Sequence, residues 1–157
     1  MTVLTVDDSS DDTLLLQRAC QRAGVRFDLR AVDDGSNAIA YLSGHDNYAD
    51  RSQHPLPHLV LLDLKMPIKP GFEVLEWLRS HPEFKTLRVI VFTSSHHEAD
   101  VREAYEKGAN GFLTKPVEYE DLVRLAQAID QDLENSKAFP ARLRTLEAYR
   151  PEPRNDT

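Results

Sequence analysis

Cysteine is almost missing from this sequence: Cys20 is the only one. An internal disulfide is therefore excluded, and so is a metal site built on several thiolates; a small, inert, buried thiol is the expected role of Cys20. Long apolar runs are missing too. None approaches the roughly 20 residues that a membrane-spanning helix needs, and the N-terminus lacks a basic n-region and cleavage site. The chain thus reads as a cytoplasmic protein with no membrane partner. Positive charge is short as well, with 19 Lys and Arg against 26 Asp and Glu and a net charge of −7. Nucleic acid, whose phosphates demand a basic surface, is not an expected partner, and the chain leaves no room for an attached DNA-binding domain. A divalent cation remains fully compatible with this charge.

What is present fits one globular unit. The 157 residues, 41% hydrophobic and 29% charged, suit a single domain with one core. Thr2 to Val6 is a β-rich run that ends in Asp7-Asp8. Ser9-Ser10-Asp11-Asp12 offers N-cap candidates and negative charge for a helix start. Leu15, Leu16, Ala19, Cys20 and Ala23 recur at helical spacing up to Gly24, and Leu14 lies off that stripe as a candidate partner contact. Val25 to Val32 predicts a second strand, broken by Asp33-Asp34-Gly35, with a short helix around Ala38, Ile39 and Leu42. His45 to His58 reads as an extended surface loop, longer than usual for such a connection.

Leu59-Val60-Leu61-Leu62 is a continuous apolar run ending abruptly in Asp63, as expected of a strand buried on both faces. Taken alone, Asp63 reads equally well as a cap for the following loop. Val74, Leu75 and Leu78 mark the next helix, which stops near His81-Pro82. Val89 to Phe92 is another doubly buried strand, ending in Thr93-Ser94-Ser95. A helix is predicted from His96 to Lys107 with a thin stripe of Val101, Ala104 and Tyr105. Gly111 to Thr114 is a last short strand before Lys115-Pro116, and Leu122, Leu125, Ala126, Ile129 and Leu133 define an amphipathic helix from about Glu118. His96-His97-Glu98 lacks the spacing of a zinc helix and reads as surface.

The alternation of strand and helix predicts an α/β fold with a mostly parallel sheet and helices on both faces. Parallel strands aim their carboxyl ends at one edge, so Asp7, Asp8, Asp63, Thr93 and Lys115 converge there. Crowded carboxylates repel one another, and a hard cation relieves that repulsion. Mg²⁺, Lys115 and the Thr93 hydroxyl would together suit a tetrahedral, highly anionic group beside a carboxylate nucleophile.

The set Asp7-Asp8, Asp63 with Met66-Pro67 and Gly71, Thr93, and Lys115-Pro116 resembles the receiver domain of two-component response regulators over residues 1–135. That resemblance implies a flavodoxin-like sheet in the order 2-1-3-4-5. It implies Asp63 as the acceptor of a phosphoryl group from a sensor histidine kinase, with Mg²⁺ as cofactor. Asp8 and Asp63 would bind the cation directly, Lys65 through its backbone carbonyl and Asp7 through water. Thr93 and Lys115 would contact the phosphoryl group, and the Lys115–Pro116 peptide would be cis. Thr93 and Phe112 would form the switch, Phe112 filling space that Thr93 vacates. Lys65 and Ser95 would tune the lifetime of the acyl phosphate. The protein would be a phosphoacceptor and not an enzyme acting on other substrates.

A narrower resemblance, carried by the His45–His58 loop, the run from Leu61 to Gly71 and Phe92-Thr93-Ser94-Ser95, is to single-domain regulators of phytochrome-type kinases. It implies a homodimer, with residues 136–157 as a C-terminal helical extension whose Phe139, Leu143, Leu146 and Tyr149 could serve as a dimerisation arm. Relay onward to a histidine phosphotransfer protein is left open. Three other readings compete. An aspartyl phosphatase of the haloacid dehalogenase type needs a second aspartate where Lys65 stands. A flavin carrier wants a Ser/Thr/Gly-rich first loop in place of the acidic pair. A receiver-fold scaffold without phosphorylation would not need the intact acidic set.

Overall fold

The structure is a computed structural model that describes residues 1–135. Residues 136–157, with the expected helical extension and arm, lie outside the described residues. Five strands alternate with five helices: β1 (Thr2–Val6), α1 (Ser10–Ala23), β2 (Asp28–Val32), α2 (Gly35–Ser43), β3 (Leu59–Leu62), α3 (Gly71–Ser80), β4 (Arg88–Thr93), α4 (Glu98–Glu106), β5 (Gly111–Thr114) and α5 (Tyr119–Glu134). All strand pairs are parallel and the sheet order is β2-β1-β3-β4-β5. This is the expected flavodoxin-like order. β1 and β3 are neighbours, with Val6 level with Leu62. Asp7 and Asp63 therefore leave adjacent strands at the same height, and the Asp63 amide bonds to the Val6 carbonyl at 3.0 Å.

Strand side chains alternate between two apolar layers. Leu4, Val6, Val60, Leu62, Val89, Val91 and Phe112 meet α2, α3 and α4 on one face. Val3, Leu59, Leu61, Ile90, Phe92 and Leu113 meet α1 and α5 on the other. With both faces covered, the central strands have no polar side to show, which is why they read as unbroken aliphatic runs.

Three local expectations are corrected. β2 begins at Asp28 instead of Val25: the Val25 amide bonds back to the Cys20 carbonyl at 3.3 Å and so belongs to the α1 terminus, where Gly24 takes a left-handed φ of 66°. α4 starts at Glu98 instead of His96. Leu15, placed on the buried stripe by its spacing, is 44% exposed, close to Leu14 at 45%. Only one narrow side of α1, carrying Leu16, Ala19 and Cys20, faces the sheet and α5. Cys20 is buried as expected.

The long connection before β3 is ordered by side chains, with one 3-10 turn at Asp46–Tyr48. Arg51 donates to the carbonyls of Tyr41 and Leu42, both at 2.7 Å, and to that of His54 at 3.3 Å. It thereby satisfies acceptors that the end of α2 leaves open. Gly44 makes room for it, since a Cβ there would lie 2.8 Å from the guanidinium. Tyr41 donates its hydroxyl to the Pro55 carbonyl at 2.8 Å, while Tyr48 packs against its ring at a tilt and His54 meets it edge-on. Among the described residues, no helix is long and apolar enough to cross a membrane.

Candidate metal and phosphoryl site

The site is built on the carboxyl ends of β1, β3 and β5. Asp7 follows β1 directly and is 6% exposed. Its Oδ1 accepts from the Ser9 amide at 2.9 Å. Ser9 in turn caps α1, its hydroxyl accepting from the Asp12 amide at 3.2 Å. Asp8 is exposed, and Asp63 is 6% exposed at the tip of β3. One carboxylate oxygen from each of Asp7, Asp8 and Asp63 lies within 4.8 Å of the others. An all-oxygen set of hard, anionic donors, open to solvent through Asp8, fits a divalent cation that keeps part of its water shell.

Lys115 crosses from β5 into this group. Its ammonium donates to Asp7 at 2.5 Å, Asp12 at 2.8 Å and Asp63 at 3.0 Å. Its side chain is only 11% exposed. Burial alone would push the lysine toward neutrality, but the bonds to Asp12, Asp7 and Asp63 outweigh it, and its pKa is raised. Burial also raises the Asp7 carboxyl, against the lowering by Lys115 and the Ser9 amide and with a further push from the charge on Asp63. The two shifts differ in origin: three carboxylate partners hold the lysine as a cation, while burial, with the like charge of Asp63 beside it, leaves Asp7 short of positive charge. A bound cation would make up that deficit.

The remaining predicted residues divide. Lys65 donates its amide to Asp63 Oδ1 at 3.3 Å, and its side chain is exposed. Thr93 is 1% exposed. Its carbonyl accepts from the Lys115 amide at 2.7 Å, tying β4 to the lysine, and its hydroxyl accepts a long bond of 3.5 Å from the Ser95 amide. Ser95 points away from the carboxylates. Its hydroxyl donates to Asp100 on α4 at 2.5 Å.

One expectation is corrected here. Among the described residues no peptide bond is cis, so the Lys115–Pro116 bond is trans. From a trans bond the flexible four-carbon stem of lysine already reaches all three carboxylates. Phe112 is 6% exposed and already packed in the layer shared with α2, α3 and α4. A ring without a hydroxyl gains nothing by facing water, and burial suits it.

Sequence reasoning missed Asp12 and Asp100. In the sequence Asp12 reads only as charge favourable to a helix start. Its position in the first turn of α1, five residues after Asp7, was the available signal. For Asp100 the signal was weaker, a carboxylate five residues after Ser95 across a loop.

The comparisons agree with this geometry. The model of the response regulator receiver domain family matches residues 3–127. Response regulator Rcp1 of Synechocystis sp. is 35% identical over 139 residues, 88% of this chain and 92% of the relative. Its Mn²⁺-bound crystal structure aligns with a TM-score of 0.72 and 36% identity, covering 83% of this chain and 91% of that one. The phosphorylated cyanobacterial phytochrome response regulator RcpA gives 0.77 at 31% identity, over 86% and 94%. Response regulator RPA3017, from red light signaling of R. palustris, gives 0.77 at 37% identity, over 82% and 90%. The acidic group, the lysine that faces it and the sheet that assembles them all fall inside the matched residues, and the chain belongs to the response regulator receiver family of two-component signalling.

Proposed function

We propose that Asp63 accepts a phosphoryl group from a phosphohistidine on a sensor histidine kinase of the phytochrome type. One observation carries this reading. Asp63 has the Asp7 and Asp8 carboxylates on the cation side and a lysine 3.0 Å away on the other. In the transfer an Asp63 oxygen bonds to phosphorus, the N–P bond of the donor breaks, and the imidazole nitrogen leaves with the electron pair. Asp63 becomes a mixed anhydride. Asp8, Asp63, the Lys65 carbonyl and, through water, Asp7 would hold Mg²⁺, which would supply charge neutralisation for the phosphoryl oxygens. Lys115 neutralises them from the other side, and the Thr93 hydroxyl exchanges its long bond to the Ser95 amide for one to the phosphoryl group.

Phosphorylation adds charge and strong acceptors at the rim. The response runs through the segment from Thr93 to Asp100: movement of Thr93 pulls on Ser95, and Ser95 is bonded to α4. The output is a homodimer, with residues 136–157 as the arm. The kinase class is supported by the phytochrome and red-light regulators among the similar structures. The test is intact-mass spectrometry of the chain with Mg²⁺ and acetyl phosphate. One added phosphoryl group is expected, and none in Asp63→Asn; a group that persists in Asp63→Asn rejects the assignment.

A further inference from the structure

We infer that Asp12 is a positioning residue for the phosphoryl transfer, tethering the Lys115 ammonium while its other two carboxylate partners change theirs. This rests on the reading of Asp63 as phosphoacceptor. An ammonium has three N–H donors. Lys115 directs them at Asp7 Oδ2, Asp12 Oδ2 and Asp63 Oδ2, at 2.5, 2.8 and 3.0 Å. Asp7 and Asp63 also belong to the group of carboxylates that can hold a cation, and Asp12 does not.

The three bonds therefore have different fates. Asp63 loses charge when its oxygen bonds to phosphorus, and its grip on Lys115 weakens as the phosphoryl oxygens gain it. Asp7 is drawn toward the cation. Asp12 alone keeps its full charge and its oxygen throughout. It is also fixed in place, because its amide bonds to the Ser9 hydroxyl in the first turn of α1. A lysine carries its charge on a flexible stem with many rotamers. Held by Asp12, the ammonium stays within reach of the site where phosphoryl charge develops. Without it, Lys115 retains no anchor that survives the reaction.

The experiment has a metal-free arm and a transfer arm. In metal-free protein, limited acetic anhydride labelling read by peptide mass spectrometry compares Lys115 with the exposed Lys65 as internal standard. Asp12→Asn is expected to raise Lys115 labelling several-fold, and Asp12→Glu to restore protection. In the second arm, phosphorylation by acetyl phosphate at saturating Mg²⁺ is expected to slow about tenfold in Asp12→Asn, the order that loss of positioning produces. In a Lys115→Gln background the same substitution should have no further effect. Unchanged labelling of Lys115 in Asp12→Asn overturns the tether, and so does an equal slowing with and without Lys115. Labelling that depends on Asp12 in a wild-type chain that takes no phosphoryl group overturns instead the assignment of Asp63, and the inference falls with it.

Discussion

Gly71, the first residue of α3, lies against the backbone of Asp63 so closely that a Cβ at Gly71 would stand 2.1 Å from the Asp63 carbonyl oxygen. The Gly71 amide also bonds to the Leu64 carbonyl at 3.1 Å. The loop that carries Asp63 is thus pressed on the start of a helix with no space between them. Gly71→Ala must displace backbone, and overpacking of this kind costs about 1–3 kcal/mol or more. A lower urea midpoint together with slower phosphorylation of Asp63 is the expected outcome. An unchanged midpoint would mean that the loop yields freely.

Ile68, in the same loop, is a β-branched residue with φ of +71° and is 87% exposed. The Lys69 amide bonds to the Pro67 carbonyl at 2.8 Å around it, closing a tight three-residue turn. Such a conformation costs on the order of 1–3 kcal/mol in a residue with a branched Cβ, of which glycine's greater unfolded-state freedom would return part. Ile68→Gly should stabilise the metal-free protein by about 1 kcal/mol in urea denaturation. A loss of stability would show that the side chain has a contact that outweighs its strain.

The raised Asp7 carboxyl fixes the sign of one pH dependence. Above the ordinary value of 3.8 the unfolded chain has released this proton while the folded one still holds it. Stability of the metal-free protein contributed by Asp7 is therefore present at low pH and is lost as pH rises through its folded pKa. Asp7→Asn should remove that slope and raise the melting temperature at neutral pH by about 2–4 °C per kcal/mol relieved. Mg²⁺ should stabilise the wild type at neutral pH more than below this window. Lys115 acts at the other end of the scale: its contribution is complete below 10.5 and is lost as pH rises beyond that.

Lys65 places its amide on Asp63 and its charged stem in solvent at the edge of the site. Folded over a phosphoryl group, that stem would obstruct the in-line approach of water. Lys65→Ala should shorten the half-life of phospho-Asp63 several-fold, read by loss of the added mass after donor removal. An unchanged half-life removes Lys65 from the chemistry of hydrolysis.

Truncation after Ser136 tests the arm. Sedimentation equilibrium of the phosphorylated full chain should show a dimer, and the truncated chain should shift toward monomer. A dimer of unchanged affinity would assign the interface to the described residues 1–135.

How much of this was readable in the residues differs by element. Leu59 to Asp63 announced its strand because burial on both faces leaves only aliphatic side chains before the abrupt carboxylate. The convergence of Asp7, Asp8, Asp63 and Lys115 followed from parallel strands sharing one edge. Leu15 misled because helical spacing gives a stripe without its width, and the width depends on how many neighbours cover the helix. Asp12, Asp100 and Arg51 were hidden for another reason. Each joins the structure through directed hydrogen bonds across a loop or to another element, and such bonds leave no periodic trace. The Lys115–Pro116 bond shows the limit of carrying a family's habits onto a particular chain.

Cys20 offers a readout of a different kind. It is the only thiol in the chain, and it is buried between α1 and its neighbours. Loss of solvation, helped by the charge on Asp130, pushes its pKa up to about 11. At neutral pH a thiol reagent thus finds neither access nor thiolate until the chain opens. The molecule carries a built-in clock for its own unfolding, and the rate at which Cys20 is modified reports how each cation, phosphoryl group or partner tightens the fold.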